Sequence, residues 1–183
     1  MLEVIEKIKQ GQMFAKNDRW GMLEFALSLV KIPGNYIELG VYKGESLTWI
    51  AERIFPNLVW GFDWYKGLPE DLKDSCPQGM FSLNYIPSFR AHNIRTISGP
   101  IEKTTREISF LDPIIFIHVD CDLYSPTKAA LEQLELGKGV VIMFDELYGS
   151  EAYDKNELKA LSEFDKEWEP MAYSDSKAVI RLT

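Results

Sequence analysis

The stretch YIELGVYKGES, residues 36–46, decides how the rest of the chain is organised. Its short, mostly apolar start predicts a buried strand that stops at Gly40, and a helix is predicted from about Gly44. Glycine adopts positive φ and lets a ligand approach the backbone, while a helix start offers free N–H groups. The sequence therefore predicts that an anionic or carboxylate-bearing group binds here, with a tight turn that binds nothing as the alternative.

Composition limits the partners that such a turn can serve. The chain has 183 residues, 46% of them hydrophobic, which suits one domain with one core. Its formal net charge of -8 argues against nucleic acid or an anionic membrane surface as partner and favours neutral or cationic small molecules. No apolar run reaches the roughly 20 residues that span a bilayer. Two isolated cysteines, Cys76 and Cys121, fit a reducing compartment, so we predict a cytoplasmic protein.

Apolar strands alternate with one-sided helices, which predicts an α/β fold with a doubly wound, mostly parallel sheet. We predict a single domain over residues 1–183, with residues 1–33 as a helical cover and residues 34–183 as the core. In such sheets, ligands bind at the carboxyl ends of the strands. The residues that follow five successive predicted strands are Gly40, Asp63, Gly99-Pro100, Asp120 and Asp145-Glu146. We therefore expect these residues to meet at one edge of the sheet.

Two further segments bear on the site. Residues 65–91 are rich in glycine, proline and polar residues, which predicts a substrate-side lid, with a surface excursion of no function as the alternative. A last helix is predicted from near Asp154, with Glu157 completing its capping box and Trp168 on its buried side. A closing hairpin is predicted after it, over residues 171–182.

Four motifs carry a resemblance to a known family. They are IELGVYKGES (37–46), VWGFDWYKGLPE (59–70), IHVDCDLYSPTKAAL (117–131) and VVIMFDELYG (140–149). In order and spacing they resemble the class I S-adenosylmethionine-dependent methyltransferases, most of all the macrocin O-methyltransferase type and more distantly the catechol type. The resemblance implies one methyltransferase domain with a Rossmann-like, seven-stranded sheet whose last strand is antiparallel.

The resemblance also implies S-adenosylmethionine as the cofactor. It assigns the amino-acid end of the cofactor to Glu38, Gly40, Tyr42, Gly44 and Ser46. It assigns the ribose hydroxyls to Asp63 and the adenine side to Trp64, Pro100 and Ile101. A nicotinamide dehydrogenase is disfavoured because GVYKG lacks the G-x-G-x-x-G spacing, and because that function gives no reason for acids at the fourth and fifth strand ends.

Those acids are predicted to carry the chemistry. The resemblance implies that Asp120, Asp145 and Glu146 hold a divalent metal. Carboxylates that converge without a cation raise one another's pKa values, and ligation by oxygen atoms alone favours Mg²⁺, with Mn²⁺ or Ca²⁺ as alternatives. A bound metal would lower the pKa of the acceptor hydroxyl and orient it toward the methyl group. The alternative is that the two aspartates only cap the loops that follow them.

Asp120 and Asp122 are the predicted catalytic residues, with Asp122 as the preferred general base. The catechol type carries a lysine three residues after its first metal aspartate, whereas this chain has Leu123 there. Glu146 also departs from the catechol pattern, in which an amide is usual, and this argues against a catechol substrate. His118, inside a predicted strand, is interpreted as a hydrogen-bonded core histidine.

The sequence thus predicts a metal-dependent O-methyltransferase that acts on a hydroxyl of a sugar moiety or another small natural product. Two alternatives stay open: a module that binds S-adenosylmethionine without turnover, and a metal-independent N-methyltransferase whose acids orient an amine. The expected partner is a small hydroxylated molecule, and neither nucleic acid nor a membrane. The family resemblance also allows a homo-oligomer that uses the N-terminal helices.

Overall fold

The structure, a computed structural model, describes residues 1–73, 75–149 and 153–183. Its strands are β1 (Gln12–Met13), β2 (Asn35–Leu39), β3 (Val59–Asp63), β4 (Ile94–Ser98), β5 (Ile114–Val119), β6 (Val141–Phe144), β7 (Trp168–Tyr173) and β8 (Ala178–Leu182). Within the described residues they form one sheet of eight strands in the order β1-β7-β8-β6-β5-β2-β3-β4.

Strands β2 to β6 run parallel to one another, whereas β8 lies antiparallel between β6 and β7. This arrangement confirms the predicted α/β class with a doubly wound, mostly parallel sheet and an antiparallel end. The sheet gains an eighth strand because β1, in a segment expected to be helical, pairs with the edge of β7. The N–H of Phe14 extends this pairing by donating to the carbonyl of Tyr173 at 2.8 Å. The N-terminal segment is thereby fixed to the sheet.

The helices of the described residues are α1 (Leu2–Ile8), α2 (Arg19–Ser28), α3 (Glu45–Ile54), α4 (Ile101–Glu107), α5 (Tyr124–Gln133) and α6 (Glu157–Ser162). In α3, the apolar residues that recur at helical spacing, Leu47, Ile50, Ala51 and Ile54, are all buried. The buried stripe follows from the sequence pattern alone, since positions three and four apart share one side of a helix.

The last helix differs from its prediction. It begins at Glu157, after a 3-10 turn at Tyr153–Lys155, and the side chain of its N-cap residue Asn156 makes no capping bond. Glu157 completes no capping box, because its buried carboxylate accepts a hydrogen bond from the N–H of Asp122 at 3.1 Å. Trp168 lies in β7 and not in the helix, because its backbone pairs with β8.

Both faces of the sheet are covered, which is why its central strands read as continuous apolar runs. All six residues of β5 are buried. Ile117 belongs to a hydrophobic cluster with residues of α1, α4, α5 and α6, whereas the adjacent Phe116 belongs to a second cluster with α2 and α3. Among the described residues, no helix combines the length and the apolarity that crossing a membrane requires.

Backbone hydrogen bonds align the carboxyl ends of the parallel strands. The N–H of Asp120 donates to the carbonyl of Leu39 at 2.8 Å, and that of Asp145 donates to the carbonyl of Val119 at 2.9 Å. The N–H of Gly40 donates to Phe62 at 2.9 Å. Residues that immediately follow three separate strands are therefore held side by side at one edge of the sheet.

Candidate active site

A cavity of about 510 Å³ opens at this edge of the sheet. Its described lining comprises Arg19, Gly40, Val41, Tyr42, Asp63, Trp64, Gly67, Leu68, Pro69, Phe81, Pro100, Ile101, Glu102, Asp120, Cys121, Asp122, Leu123, Pro126, Asp145 and Glu146. The expected meeting of the strand ends at one edge is therefore observed. The volume of the cavity is within the range of small-molecule binding sites.

The turn after β2 is built for close packing. Gly40 has φ +87, and a Cβ at this position would overlap the carbonyl oxygen of Asp120. The Oδ2 of Asp63 accepts hydrogen bonds from the N–H groups of Val41 at 2.8 Å and Tyr42 at 2.7 Å, and its Oδ1 accepts one from Tyr65. Asp63 thus fixes the backbone of the turn. A carboxylate offers about four acceptor positions, so one position is left for a ligand hydroxyl.

The predicted cofactor residues divide into two groups. Six of them line the cavity: Gly40, Tyr42, Asp63, Trp64, Pro100 and Ile101. The other three, Glu38, Gly44 and Ser46, lie outside the lining among the described residues. Gly44 has φ +79 as the N-cap of α3 and packs against the ring of Phe89, and Ser46 is buried within the helix.

Glu38 lies in β2 beneath the cavity floor, where it is fully buried. Its Oε1 is 2.8 Å from Nδ1 of His118, while its Oε2 has no hydrogen-bond partner among the described residues. Burial by itself lowers the pKa of His118, but the nearby carboxylates of Asp145 and Glu38 raise it to about 9. His118 is thus a core histidine, as interpreted from the sequence, and it is paired with the carboxylate of Glu38.

Arg19, the first residue of α2, lies between Asp120 and Asp145, the acids that follow β5 and β6. Its Nη2 donates a short hydrogen bond to Oδ2 of Asp120, and its Nε is 3.3 Å from Oδ1 of Asp145. The side chain of Arg19 is 27% exposed, so the ion pair is partly shielded from water. A metal was predicted at this position, where the structure has a guanidinium group.

Lys177, in the turn between β7 and β8, is a second cation at the same acids. Its Nζ lies 3.4 Å from Oδ2 of Asp145 and donates to the carbonyl of that residue at 3.0 Å. Burial alone would raise the pKa of Asp145, yet His118, Arg19 and Lys177 lower it to about 2. The Asp145 carboxylate is therefore ionised and faces protein cations on both of its oxygen atoms.

The donor set does not fit a divalent metal on Asp120, Asp145 and Glu146. Among the described residues, the acidic and histidine ligand atoms that converge within 4.8 Å belong to Glu38, His118 and Asp120, not to the predicted triad. In that group, Glu38 and His118 already bind each other. Glu146 is exposed, while the other two acids of the predicted triad contact Arg19.

Asp122 lies on the cavity wall in an unusual backbone conformation, with φ 65. Its N–H is held by Glu157 of α6. Burial and the neighbouring charges of Asp120, Glu146 and Asp145 raise the pKa of Asp122 to about 7. A carboxylate with a pKa near 7 can exchange protons with a ligand at neutral pH.

The segment predicted as a lid borders the cavity. Leu68, Pro69 and Phe81 contribute to its lining, and the ring of Phe81 packs edge-on against that of Tyr42 with centroids 5.5 Å apart. Gly67 has φ +82 and leaves no room for a side chain beside the carbonyl groups of Gly79 and Met80. The N–H of Leu68 donates to the carbonyl of Met80 at 2.9 Å, which holds the segment folded. The segment therefore contacts the turn after β2 directly, through Phe81 and Tyr42.

Among the described residues, Arg19 and Lys177 are the ones at the site that sequence reasoning missed. A local signal existed for the position of Arg19, since Asp18 caps α2 by accepting from Gly21 N–H at 3.0 Å. No local signal indicates which acids these cations meet, because Arg19 and Asp120 are 101 residues apart.

Taken with the sheet order and the cavity at its carboxyl edge, comparison with solved structures decides the fold. The chain has the fold of S-adenosylmethionine-dependent methyltransferases. It is similar to CalS11, a TDP-rhamnose 3'-O-methyltransferase of calicheamicin biosynthesis, with a TM-score of 0.63 and 20% identity over 91% of this chain and 81% of that one. No protein-family model and no curated protein sequence matches the chain.

Two further proteins with this methyltransferase fold contain ligands. Fibrillarin from Aeropyrum pernix, with natively bound S-adenosyl-L-methionine, has a TM-score of 0.53 and 16% identity over 88% of this chain and 74% of that one. A Streptococcus mutans protein proposed to be a methyltransferase, in complex with SAH, has a TM-score of 0.53 and 15% identity over 90% of this chain and 97% of that one. At these identities the likeness establishes the methyltransferase fold, and the activity has to be argued from the site.

Proposed function

We propose that the protein is an S-adenosylmethionine-dependent methyltransferase that acts on a hydroxyl of a small molecule. The observation that carries this proposal is the composition of the cavity. Its lining brings the Gly40 turn and Asp63 together with Asp120, Asp122 and Asp145. A cofactor bound at the turn and at Asp63 would present its reactive group to these acids.

The chain offers a separate contact for each part of the cofactor. Asp63, which has one acceptor position left, would bind a ribose hydroxyl, and Trp64 would contact the adenine ring by stacking. Pro100 and Ile101, at the start of α4, line the cavity and would contact the adenine. The amino-acid end would lie near Tyr42, above the buried and partly unsatisfied carboxylate of Glu38.

Asp122 is the proposed general base. When bound, S-adenosylmethionine supplies the methyl group, which the acceptor oxygen takes by direct displacement. Asp122 accepts the proton that the acceptor hydroxyl gives up, and Arg19 stabilises the negative charge that develops on that oxygen. The mechanism assigns no step to a metal, because the acids at the ends of β5 and β6 do not fit one.

The fold and the charge of the cavity both bear on which class of acceptor the protein binds. The likeness to CalS11, whose name describes methylation of a sugar hydroxyl, supports a sugar moiety or a similar natural product. The acids Asp122 and Glu146 on the wall favour an amine as a second candidate, because carboxylates would orient a protonated amino group. A metal-independent N-methyltransferase is therefore the second candidate.

Calorimetric titration with S-adenosylmethionine and a screen for turnover together test the proposal. We expect saturable 1:1 binding. A panel of hydroxylated sugars, phenols and amines, incubated with the protein and cofactor, should contain acceptors that release S-adenosylhomocysteine, detected by mass spectrometry. Methylated oxygen supports the proposal, and methylated nitrogen supports the second candidate. Binding without turnover on any acceptor indicates a binding module, and no binding contradicts all three.

A further inference from the structure

We propose that Arg19 is a built-in cation that takes the place of a divalent metal between Asp120 and Asp145, so that this site binds neither Mg²⁺ nor Mn²⁺. The exclusion of metal stands on the contacts of the chain alone. Its consequence for catalysis, methyl transfer without a metal, rests on the proposed function.

Protein cations already face most of the carboxylate oxygens of Asp120 and Asp145. Oδ2 of Asp120 and Oδ1 of Asp145 both face the guanidinium group of Arg19, and Oδ2 of Asp145 faces Lys177. A divalent ion such as Mg²⁺ needs oxygen ligands in near-octahedral positions at about 2 Å. Three of the four oxygens of the aspartate pair already face protein cations.

The charges around the aspartate pair also disfavour a divalent ion. Asp120 and Asp145 face two cations, Arg19 and Lys177, at 3.4 Å or less. These two side chains offset the charge of the pair. A divalent ion would then bring two uncompensated positive charges beside two cations. The repulsion between Asp120 and Asp145 is therefore offset by side chains of the protein.

Several contacts hold Arg19 in this position. Asp18 is the N-cap residue of its helix and accepts a hydrogen bond from the N–H of Gly21. The N–H of Asn17, just before this cap, donates to Oδ1 of Asp175 at 3.1 Å. Asp175 lies in the same β7–β8 turn as Lys177. Strand β1, paired with β7, ties the same segment to the sheet. One turn thus positions both cations relative to the aspartate pair.

Anchored in this way, Arg19 still has a donor free for a ligand. Its Nη1 has no hydrogen-bond acceptor in residues 1–73, 75–149 and 153–183, and the side chain lines the cavity. A guanidinium group is planar and permanently charged, so Nη1 can donate to an acceptor oxygen while Nη2 stays on Asp120. Arg19 would thereby stabilise that oxygen, which is the role predicted for a metal.

Titration of the full-length protein with MnCl₂, followed by calorimetry and by the electron paramagnetic resonance signal of free Mn²⁺, tests the proposal. We expect no saturable binding by the unaltered protein up to about 1 mM, a range that covers weak protein sites for divalent ions. Arg19→Ala should create a 1:1 site for Mn²⁺ whose Kd is at least tenfold below this limit of about 1 mM, because the substitution frees two carboxylates. Asp145→Asn in the Arg19→Ala background should remove that site again.

Arg19→Lys is the matched control, since it keeps the charge and should bind no Mn²⁺. Saturable binding by the unaltered protein that Asp145→Asn abolishes would overturn the proposal. If Arg19→Ala also fails to bind, Arg19 is not what excludes the metal, and the proposal is wrong. Should Arg19→Ala fail to fold by circular dichroism, the titrations of the unaltered protein, Arg19→Lys and Asp145→Asn still decide.

The same samples separate this inference from the proposed function. Titration with S-adenosylmethionine that gives no binding contradicts the proposed function and leaves the Mn²⁺ result unaffected. If an acceptor is found, a chelator should change the initial rate of S-adenosylhomocysteine release by less than twofold. Loss of the rate on chelation and its return with Mg²⁺ would overturn the metal-free mechanism.

Discussion

Single residues at this site serve the fold and the chemistry together. Gly40 allows β2 and β5 to approach closely at their carboxyl ends, because a side chain there would overlap the backbone of Asp120. Asp63 fixes the same turn through two backbone N–H groups, those of Val41 and Tyr42. A residue predicted to bind a ribose therefore also determines the shape of its own binding site.

Replacing Gly40 by Ala should destabilise the protein by at least about 2 kcal/mol, because a left-handed conformation costs an alanine about 1–2 kcal/mol before the overlap with Asp120 is counted. Urea denaturation measures the change. Gly137→Ala is the control, since a Cβ there meets nothing within 4 Å, and it should alter stability by less than about 0.5 kcal/mol. Equal effects of the two substitutions would contradict this account of the turn.

Asp122→Asn should lower the rate of methyl transfer by about 100-fold or more, because the amide cannot accept the proton. Cofactor affinity, measured by calorimetry, should change little. With the unaltered protein, the rate should rise with pH through about 7, since the base works only when it is deprotonated. Glu135→Gln, at an exposed position, is the control for loss of one charge. A variant that keeps the same pH profile and rate would exclude Asp122 as the base.

At the scale of elements, α6 supports the loop after β5 through one buried acid. Glu157 is fully buried, its Oε1 accepts from the N–H of Asp122, and its Oε2 has no partner among the described residues. Burial, followed by the charge of Asp122, raises the pKa of Glu157 well above 4.5. The folded protein therefore keeps a proton on Glu157 at a pH where the unfolded chain has released it.

Glu157→Gln should stabilise the protein at pH 8, because glutamine stays neutral and still accepts from Asp122. The sign follows from the raised pKa: the contribution of protonated Glu157 is fully present below pH 4.5 and is lost as pH rises through the raised value. Each kcal/mol gained corresponds to a rise in Tm of about 2–4 °C. Thermal unfolding from pH 4.5 to 9 measures it, with Glu3→Gln, at an exposed position of α1, as the control. An identical pH dependence with and without Glu157 would contradict the prediction.

At the scale of the whole molecule, ligand binding and stability are coupled, because the cavity is formed from strand ends, the lid segment and the N-terminal segment together. A ligand that binds only the folded chain adds about 2.7 kcal/mol to stability at 100 times its Kd. This gain in stability applies to unfolding of the whole domain, because all of these segments form the cavity.

S-adenosylmethionine at about 100 times its Kd should therefore raise Tm by about 5–10 °C. Asp63→Ala should lose most of this shift, because it removes both the ribose contact and the anchor of the turn. Glu70→Gln changes the same charge at a nearby exposed position and should keep the shift. The Tm of each variant without ligand serves as its own reference. A shift of the same size in Asp63→Ala would contradict the cofactor position.

The order of the elements was predictable because its signals are local. Apolar runs at strands β2, β3, β5 and β6, the helical spacing in α3 and the glycines at turns each depend on neighbouring residues. The short β1 was missed because two residues carry too little pattern. Trp168 was misplaced because pairing with β8 overrides its local helical spacing.

By itself, the sequence determined the α/β class and the collection of glycine and acids at one sheet edge, since parallel strands must end on the same side. Only the tertiary structure decided what meets those acids. The sequence argument that converging carboxylates need a cation was sound, but the cation nearest to Asp120 and Asp145 is Arg19, which lies 101 residues from Asp120. Local patterns carry no information about a contact of that span, because it depends on how the N-terminal segment packs along β7.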